Sequence, residues 1–312
     1  MNNILKEDIQ LFASRFALAT ELEGKTIAVT GSTGLLGACM VHCLLALKAQ
    51  RGVNLHIVAI ARNMEKAVHL FGEGREELSY YQYDFSSTGS FQPKRKVDYL
   101  FHFAAPTASK DFVEKPVETM NTVYMGMQNI LNYAEQAKLE SLVLASTLEV
   151  YGTITDDSTP LTEDKQGYLD PMATRSSYPL AKRAAEALCH NYAVEKQVKV
   201  KVARLAQTFG AGVSKQDNRV FAQFARSVIH NEDIILHTTG ELSRCYCYTT
   251  DAISAMLYIL LKGEDGTAYN VANEATYISI RQMAELVAKT FNPDHVHVVI
   301  EMQEGLGYSP TT

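Results

Sequence analysis

Along the first two hundred positions, two hydrophobic periods alternate. Short apolar or β-branched runs at 26–30, 55–61, 78–83, 99–103, 141–145 and 198–204 read as strands. Between them, 35–47, 64–71, 117–136 and 178–196 carry the three-to-four-residue spacing of amphipathic helices. Residues 4–23 hold a helical period without Gly or Pro and predict one helix lying against the main unit. Apolar strands separated by helices predict an α/β fold, a doubly wound parallel sheet covered on both faces. From about Ala206 the rhythm breaks into shorter pieces richer in Arg, Tyr and loops. The expected division is 1–205 for the sheet unit with its N-terminal helical extension and 206–312 for a smaller α/β substrate-binding domain interleaved with it.

The 312 residues carry 46% hydrophobic side chains and a formal charge of −6. That length suits two domains or one large unit with an appendage, and that charge supplies no broad basic field for nucleic acid. The longest apolar stretch, 255–261, falls far short of a membrane span, and the N-terminus has no signal-peptide core. Five cysteines lie outside any zinc-finger or disulfide spacing. Reduced, buried thiols and a cytoplasmic location are expected.

Between the first strand and the first helix after it stands Thr30-Gly31-Ser32-Thr33-Gly34-Leu35-Leu36-Gly37. The first glycine permits the tight turn, the second brings backbone N–H groups up to a pyrophosphate, and the third lets the helix pack on the strand. This predicts a dinucleotide cradle from Gly31, Thr33, Gly34, Leu35, Leu36 and Gly37; the alternative is a turn without ligand. The second strand runs into Ile60-Ala61-Arg62-Asn63, with no acid to bond a ribose 2′-hydroxyl. Arg62 would suit the 2′-phosphate of NADP or else cap a loop. Asp84, beside Phe85, would contact the adenine or cap the next segment.

Tyr178 and Lys182 stand one helical turn apart on one face. A phenol with a pKa near 10 needs help to act as a base near neutrality, and a nearby ammonium supplies it. Ahead of them, Leu144-Ala145-Ser146-Thr147-Leu148-Glu149-Val150-Tyr151-Gly152 ends a strand, where the Thr147 hydroxyl would hold a substrate oxygen and Ser146 would be structural.

This ordered set resembles an extended short-chain dehydrogenase/reductase of the NAD-dependent epimerase/dehydratase family, which modifies nucleotide sugars on a Rossmann-like fold. The resemblance rests on the glycine loop, His102-Phe103-Ala104-Ala105, the Thr147 segment and the Tyr178/Lys182 pair. It continues through Arg204-Leu205-Ala206-Gln207-Thr208-Phe209-Gly210 and Arg244-Cys245-Tyr246-Cys247-Tyr248 ahead of Asp251. Asn218-Arg219-Val220 followed by Arg244 looks most like the UDP-glucuronate decarboxylases. The resemblance implies that Thr147, Tyr178 and Lys182 serve hydride transfer to NAD or NADP and that Ala104 and Ala105 line the cofactor. It further implies that Gln207, Arg219 and Arg244 hold a nucleotide-diphosphate sugar, although each arginine alone would suit a solvated surface. Gln207 stands where relatives carry Asn. The 4,6-dehydratases place an acid where this chain has Leu148, which disfavours dehydration, while Glu149 matches the Glu of dehydratases and decarboxylases alike. A homodimer is the family expectation. Relatives continue past the residues equivalent to Tyr308-Ser309-Pro310-Thr311-Thr312, so a missing tail is expected.

Decarboxylase-like or 4-epimerase chemistry through a 4-keto sugar is the first expectation. The alternatives are a net NADPH-dependent reductase of a keto-sugar nucleotide, which Arg62 would suit, and a non-catalytic nucleotide sensor. His295 and His297 alternate on an expected strand without acids or thiols to complete a metal site, so none is expected. His102 is expected to pack near the cofactor without titrating, and Met120, Met125 and Met127 to belong to the core.

Overall fold

The computed structural model describes residues 1–87, 89–155 and 159–303. In chain order the first half runs α1 (Asn3–Arg15), β1 (Thr26–Thr30), α2 (Leu35–Arg51), β2 (His56–Ala61), α3 (Met64–Phe71), β3 (Leu78–Gln82), β4 (Tyr99–His102), α4 (Ser109–Glu114), α5 (Pro116–Ala137) and β5 (Ser141–Thr147). Then come α6 (Ser177–Lys196), β6 (Val200–Leu205), β7 (Gln207–Phe209), α7 (Val220–His230), β8 (Ile234–Leu236), β9 (Ser243–Arg244) and β10 (Tyr246–Tyr248). The chain continues with α8 (Thr249–Lys262), β11 (Ala268–Val271), β12 (Ile278–Ser279), α9 (Ile280–Phe291) and β13 (Val298–Ile300).

Seven strands form one parallel sheet in the order β11-β6-β5-β4-β1-β2-β3. Successive strand residues feed opposite layers. Ile27, Val29, Phe101, Val143 and Ala203 pack into a core with α1, α2 and α8. Ala28, Leu100, Leu142, Leu144 and Val202 pack into a second core with α5 and α6. Burial on both faces is why these strands read as near-continuous apolar runs. The chain reverses direction across the sheet between β1 and β4, opening a crevice at their carboxyl ends where ligands bind in such folds.

Local signals set the helix ends. Gly52 ends α2 in the left-handed conformation (φ 67°), its N–H donating to the Lys48 carbonyl. Pro116 opens α5, and α9 begins with a reciprocal Ser279/Gln282 capping box. The single helix expected over 4–23 is instead α1 followed by a 3-10 turn at Ala19–Leu22. Arg51 Nη1, from the end of α2, donates to the carbonyls of Ala13 and Phe16 at 3.2 and 3.4 Å. Those orphan carbonyls are satisfied from outside, and the buried Phe12 and Phe16 rings stack at 5.4 Å where the chain turns in. Met127 is core, as expected; Met120 and Met125 are exposed on α5. His295 and His297 precede β13 instead of lying on a strand.

Beyond β6 the chain forms three two-stranded pairings, β10–β7, β12–β9 and β13–β8, while β11 returns to the main sheet beside β6. A separate apolar cluster holds Phe224, Ile234, Leu236, Ala284, Ala288 and Val296. Polar side chains tie this return to the centre. Buried Ser146 bonds Glu186, which pairs with Arg204 at 2.8 Å. Arg204 Nη1 donates to the Tyr151 hydroxyl at 3.1 Å, and that hydroxyl donates to Asn270 Oδ1 at 2.6 Å. Strands β5, β6 and β11 and helix α6 therefore share one satisfied network, which gives Ser146 its structural part. Residues 308–312, on which the expectation of a missing tail rests, lie outside the described residues.

Candidate active site

The glycine loop leaves β1 at its carboxyl end. Gly31 has φ 61°, and a Cβ there would lie 2.9 Å from the Ala104 nitrogen; at Gly37 it would lie 2.3 Å from the Gly31 carbonyl oxygen. Both glycines therefore serve close packing of loop, strand and helix. Gly34 is the N-cap of α2 without a side-chain cap, and the first intrahelical bond runs from Ala38 N to Gly34 O. The N–H groups of Leu35, Leu36 and Gly37 thus take no acceptor within the helix, the arrangement that binds a pyrophosphate. Thr33 sits in the same loop. The residues present fit a dinucleotide.

Thr30 joins this loop to the next one. Its hydroxyl accepts from Phe103 N and Ala104 N at 3.1 and 3.2 Å and lies 2.9 Å from His102 Nδ1. With two N–H groups already donating to the oxygen, its proton points to the imidazole. Burial, with the charge of Lys182 adding to it, lowers His102 to about 3, so the ring stays neutral and accepts. The buried Phe85 ring meets His102 edge-on at 4.9 Å. Ala104 and Ala105 follow, half-buried, at the lip of the crevice.

Arg62 and Asp84 stand at the carboxyl ends of β2 and β3. Arg62 is exposed, and Asn63, not Arg62, caps α3 by accepting from Lys66 N. Burial raises the Asp84 carboxyl, but hydrogen bonds from Ser86 and the charge of Arg62 outweigh it and hold it below its ordinary value. Asp84 accepts from both Ser86 N and Oγ, which builds a local turn.

Thr147 is the last residue of β5. Its oxygen accepts from Glu149 N at 3.3 Å, and its hydroxyl bonds the Tyr178 phenol. Tyr178 and Lys182 are buried on α6. Burial pushes the phenol well above its ordinary value, and the Glu149 carboxylate pushes it further; the Thr147 bond and the charge of Arg175 partly offset this. Lys182, expected to do the lowering, donates from Nζ to the Ala145 carbonyl at 2.7 Å while lying over the Tyr178 ring, 5.9 Å from its centre. Burial lowers Lys182 itself to about 8, against the opposing charge of Glu186.

Two neighbours carried no sequence signal. Phe112 from α4 stacks face to face on Tyr178 at 4.3 Å. Arg175 lies 5.0 Å from the Phe112 ring centre and forms an ion pair with Glu149 at 3.0 Å. The 3-10 turn Leu148–Tyr151 carries Glu149, whose charge reaches Tyr178, while Leu148, at the position where the resemblance puts the dehydratase acid, offers no proton.

The proposed sugar-nucleotide residues come from three places: Gln207 on β7, Arg219 just before α7 and Arg244 on β9. Gln207 opposes Tyr246 across the small β7–β10 pairing. Arg219 Nη1 donates to the Thr208 carbonyl at 3.0 Å while its other nitrogens hold Asp217. Arg244 is buried, with Tyr246, Glu149 and Tyr277 among its electrostatic neighbours. The structure thus links Arg244 to the Glu149 side of the site, while Arg219 stands at the start of α7 and reaches β7 through the Thr208 carbonyl.

A family model described as "NAD dependent epimerase/dehydratase family" matches residues 27–272. UDP-glucuronic acid decarboxylase 1 of Xenopus tropicalis is 27% identical over 274 residues, covering 86% of this chain and 61% of that protein. The chain thus spans about three fifths of that relative's length. Among solved structures, UDP-glucuronic acid 4-epimerase from Bacillus cereus in complex with UDP-glucuronic acid and NAD superposes with a TM-score of 0.72 at 18% identity, covering 92% of this chain and 87% of that one. A dTDP-glucose 4,6-dehydratase from Streptomyces venezuelae gives 0.74 at 21% identity, covering 91% and 88%. At such identities the structural likeness is one of fold.

Proposed function

The chain belongs to the NAD dependent epimerase/dehydratase family, and from that premise we propose a redox-neutral nucleotide-sugar enzyme that works through a 4-keto intermediate. The reading favoured is UDP-glucuronate decarboxylation, with 4-epimerisation second. The observation that carries it is the meeting of Thr147, Glu149, Tyr178 and Lys182 at the carboxyl end of β5, directly beside β4 and its His102-Phe103-Ala104-Ala105 lip.

The chemistry supplied by bound NAD(P)⁺ is reversible acceptance of hydride from the sugar C4 carbon. Gly31, Thr33, Gly34, Leu35, Leu36 and Gly37 would hold its pyrophosphate, with Ala104 and Ala105 lining it and Asp84 and Phe85 near the adenine. Tyr178 takes the proton of the 4-hydroxyl, and Thr147 holds that oxygen. The nearby positive charge of an oxidised nicotinamide would favour the phenolate, which burial and Glu149 now disfavour. Ketone formation at C4 makes a uronate a β-keto acid; the C5–C6 bond breaks, carbon dioxide leaves, and the electron pair enters an enolate. Glu149 handles the proton returned to C5, and Tyr178 gives its proton back to the C4 oxygen as that ketone is reduced again, so the cofactor would end unchanged. Gln207, Arg219 and Arg244, in the substrate-binding part that we assign to 206–312, would grip the diphosphate as arginine forks grip phosphate oxygens.

Mass spectrometry of UDP-glucuronate after incubation with catalytic NAD⁺ tests the reading. Loss of carbon dioxide is expected; an unchanged mass with a new chromatographic peak means 4-epimerisation, and no change rejects this substrate. Stoichiometric consumption of NADPH on a keto-sugar nucleotide would favour the reductase instead.

NAD or NADP turns on Arg62, which stands exposed with no acid at the end of its own strand. Arg62→Ala is expected to weaken NADP about tenfold or more, the size of a charge-assisted hydrogen bond, and NAD little. Equal losses in a binding titration would remove the 2′-phosphate role. A homodimer is carried by family likeness alone. A cytoplasmic place rests on Cys39, Cys43, Cys189, Cys245 and Cys247, all free thiols. Among the described residues, no helix is long and apolar enough to cross a membrane.

A further inference from the structure

Glu149 does not stand alone beside Tyr178. The 3-10 turn Thr174–Ser176 delivers Arg175 to it just before α6 begins, with Nη1 at 3.0 Å from Glu149 Oε2. Both side chains are mostly withdrawn from solvent, at 15% and 17% exposure, so water screens the pair weakly. The guanidinium is fixed on a second side by the Phe112 ring, itself stacked on Tyr178 and tied to α6 where Ser177 Oγ donates to the Phe112 carbonyl at 2.8 Å. Contacts thus run from Glu149 through Arg175 and Phe112 to Tyr178, whose phenol also feels the Glu149 charge.

We propose that Arg175 is the positioning residue of Glu149, holding its carboxylate in the place from which it handles the C5 proton. This rests on the reading of Glu149 as the acid–base group after C4 oxidation. The geometry supplies the reason. A carboxylate on a four-residue 3-10 turn has a free choice of rotamer unless a partner selects one, and a planar guanidinium anchored on an aromatic face selects it. The second cation whose charge reaches Glu149, Arg244, is assigned to the diphosphate. Without Arg175 the carboxylate would be drawn toward Arg244 and away from C5. Arg175 acts through Glu149 and need not touch the sugar.

The test is a double-mutant cycle on the full chain with UDP-glucuronate and NAD⁺, using Arg175→Met, Glu149→Gln and the two combined, with Arg175→Lys alongside. Arg175→Met is expected to lower kcat about tenfold or more, within the range of coupled neighbours, while KM changes by less than about threefold. Absorbance at the reduced-nicotinamide band should rise during its turnover, because C4 is oxidised while the later step slows. In the Glu149→Gln background, Arg175→Met should cost nothing further, and Arg175→Lys should recover part of the rate. Equal losses from Arg175→Met in both backgrounds would overturn the inference, as would a loss confined to KM. A wild-type chain that leaves UDP-glucuronate untouched overturns the substrate reading instead. The same four proteins are then compared by melting temperature, where strictly additive shifts would overturn the pairing itself.

Discussion

Tyr178→Phe is expected to abolish measurable turnover, with a loss on the order of 10²–10⁴-fold for removal of a positioned acid–base group. Dinucleotide binding should persist. The phenyl ring keeps the stack on Phe112 at 4.3 Å, and the glycine loop contacts lie on another strand. What disappears is the hydroxyl between Thr147 and the substrate oxygen, together with a phenol whose protonation state several groups contest. Burial and Glu149 oppose its ionisation while Thr147 and Arg175 favour it. Cofactor fluorescence titration beside a product assay checks the separation. Normal turnover in this variant would sink the mechanism, and loss of both binding and turnover would show a structural effect.

Gly37→Ala carries the second large expectation, on the fold and the cofactor together. The added methyl would meet the Gly31 carbonyl oxygen at 2.3 Å, the Gly31 carbonyl carbon at 2.8 Å and Ser32 Cα at 2.9 Å. All three are main-chain atoms, so no rotamer change relieves the contact, and either α2 or the loop must move. Overpacking of this kind costs about 1–3 kcal/mol or more, and in a chain this long about 2–4 °C of melting temperature goes with each kcal/mol. Gly34→Ala is the control, since its methyl would meet one atom, the Gly31 oxygen, at 3.3 Å. It should melt close to wild type yet bind dinucleotide more weakly, because the methyl lies where the backbone approaches the pyrophosphate. Equal melting temperatures for Gly37→Ala and wild type would refute the packing argument.

Much of this was legible in the sequence for local reasons. The strands announce themselves because a sheet buried on both faces leaves no polar alternation to confuse with a loop. The glycines announce the crevice because their spacing encodes a backbone path. Tyr178 and Lys182 share a helix, so a four-residue interval places both. Contacts made across the fold were silent. Arg51 ends α1 from across the chain, so no residue near 15 marks the stop. Arg175 reaches Glu149 through a pairing that exists only once α6 and β5 are set side by side. Lys182 lies over the Tyr178 ring as the helical interval implies, but its bond to the Ala145 carbonyl, on the neighbouring strand, has no mark in the sequence. Met120 and Met125 obey the helical period of α5 and still face outward, because periodicity fixes a helix's faces without saying which one is covered.

The return of β11 to the main sheet has a consequence for the order in which the protein can be made. β6 leaves the ribosome more than sixty residues before the strand that pairs with its outer side. During that interval its backbone presents an unpaired edge, and exposed edges invite pairing with other chains. Tyr151 waits longer still, 119 residues, for Asn270. A nascent chain halted near residue 205 would hold every residue of the glycine loop and the Tyr178/Lys182 pair, yet it would lack the strand that closes the sheet beneath them. The catalytic face is therefore finished by a strand that is synthesised long after the catalytic residues themselves.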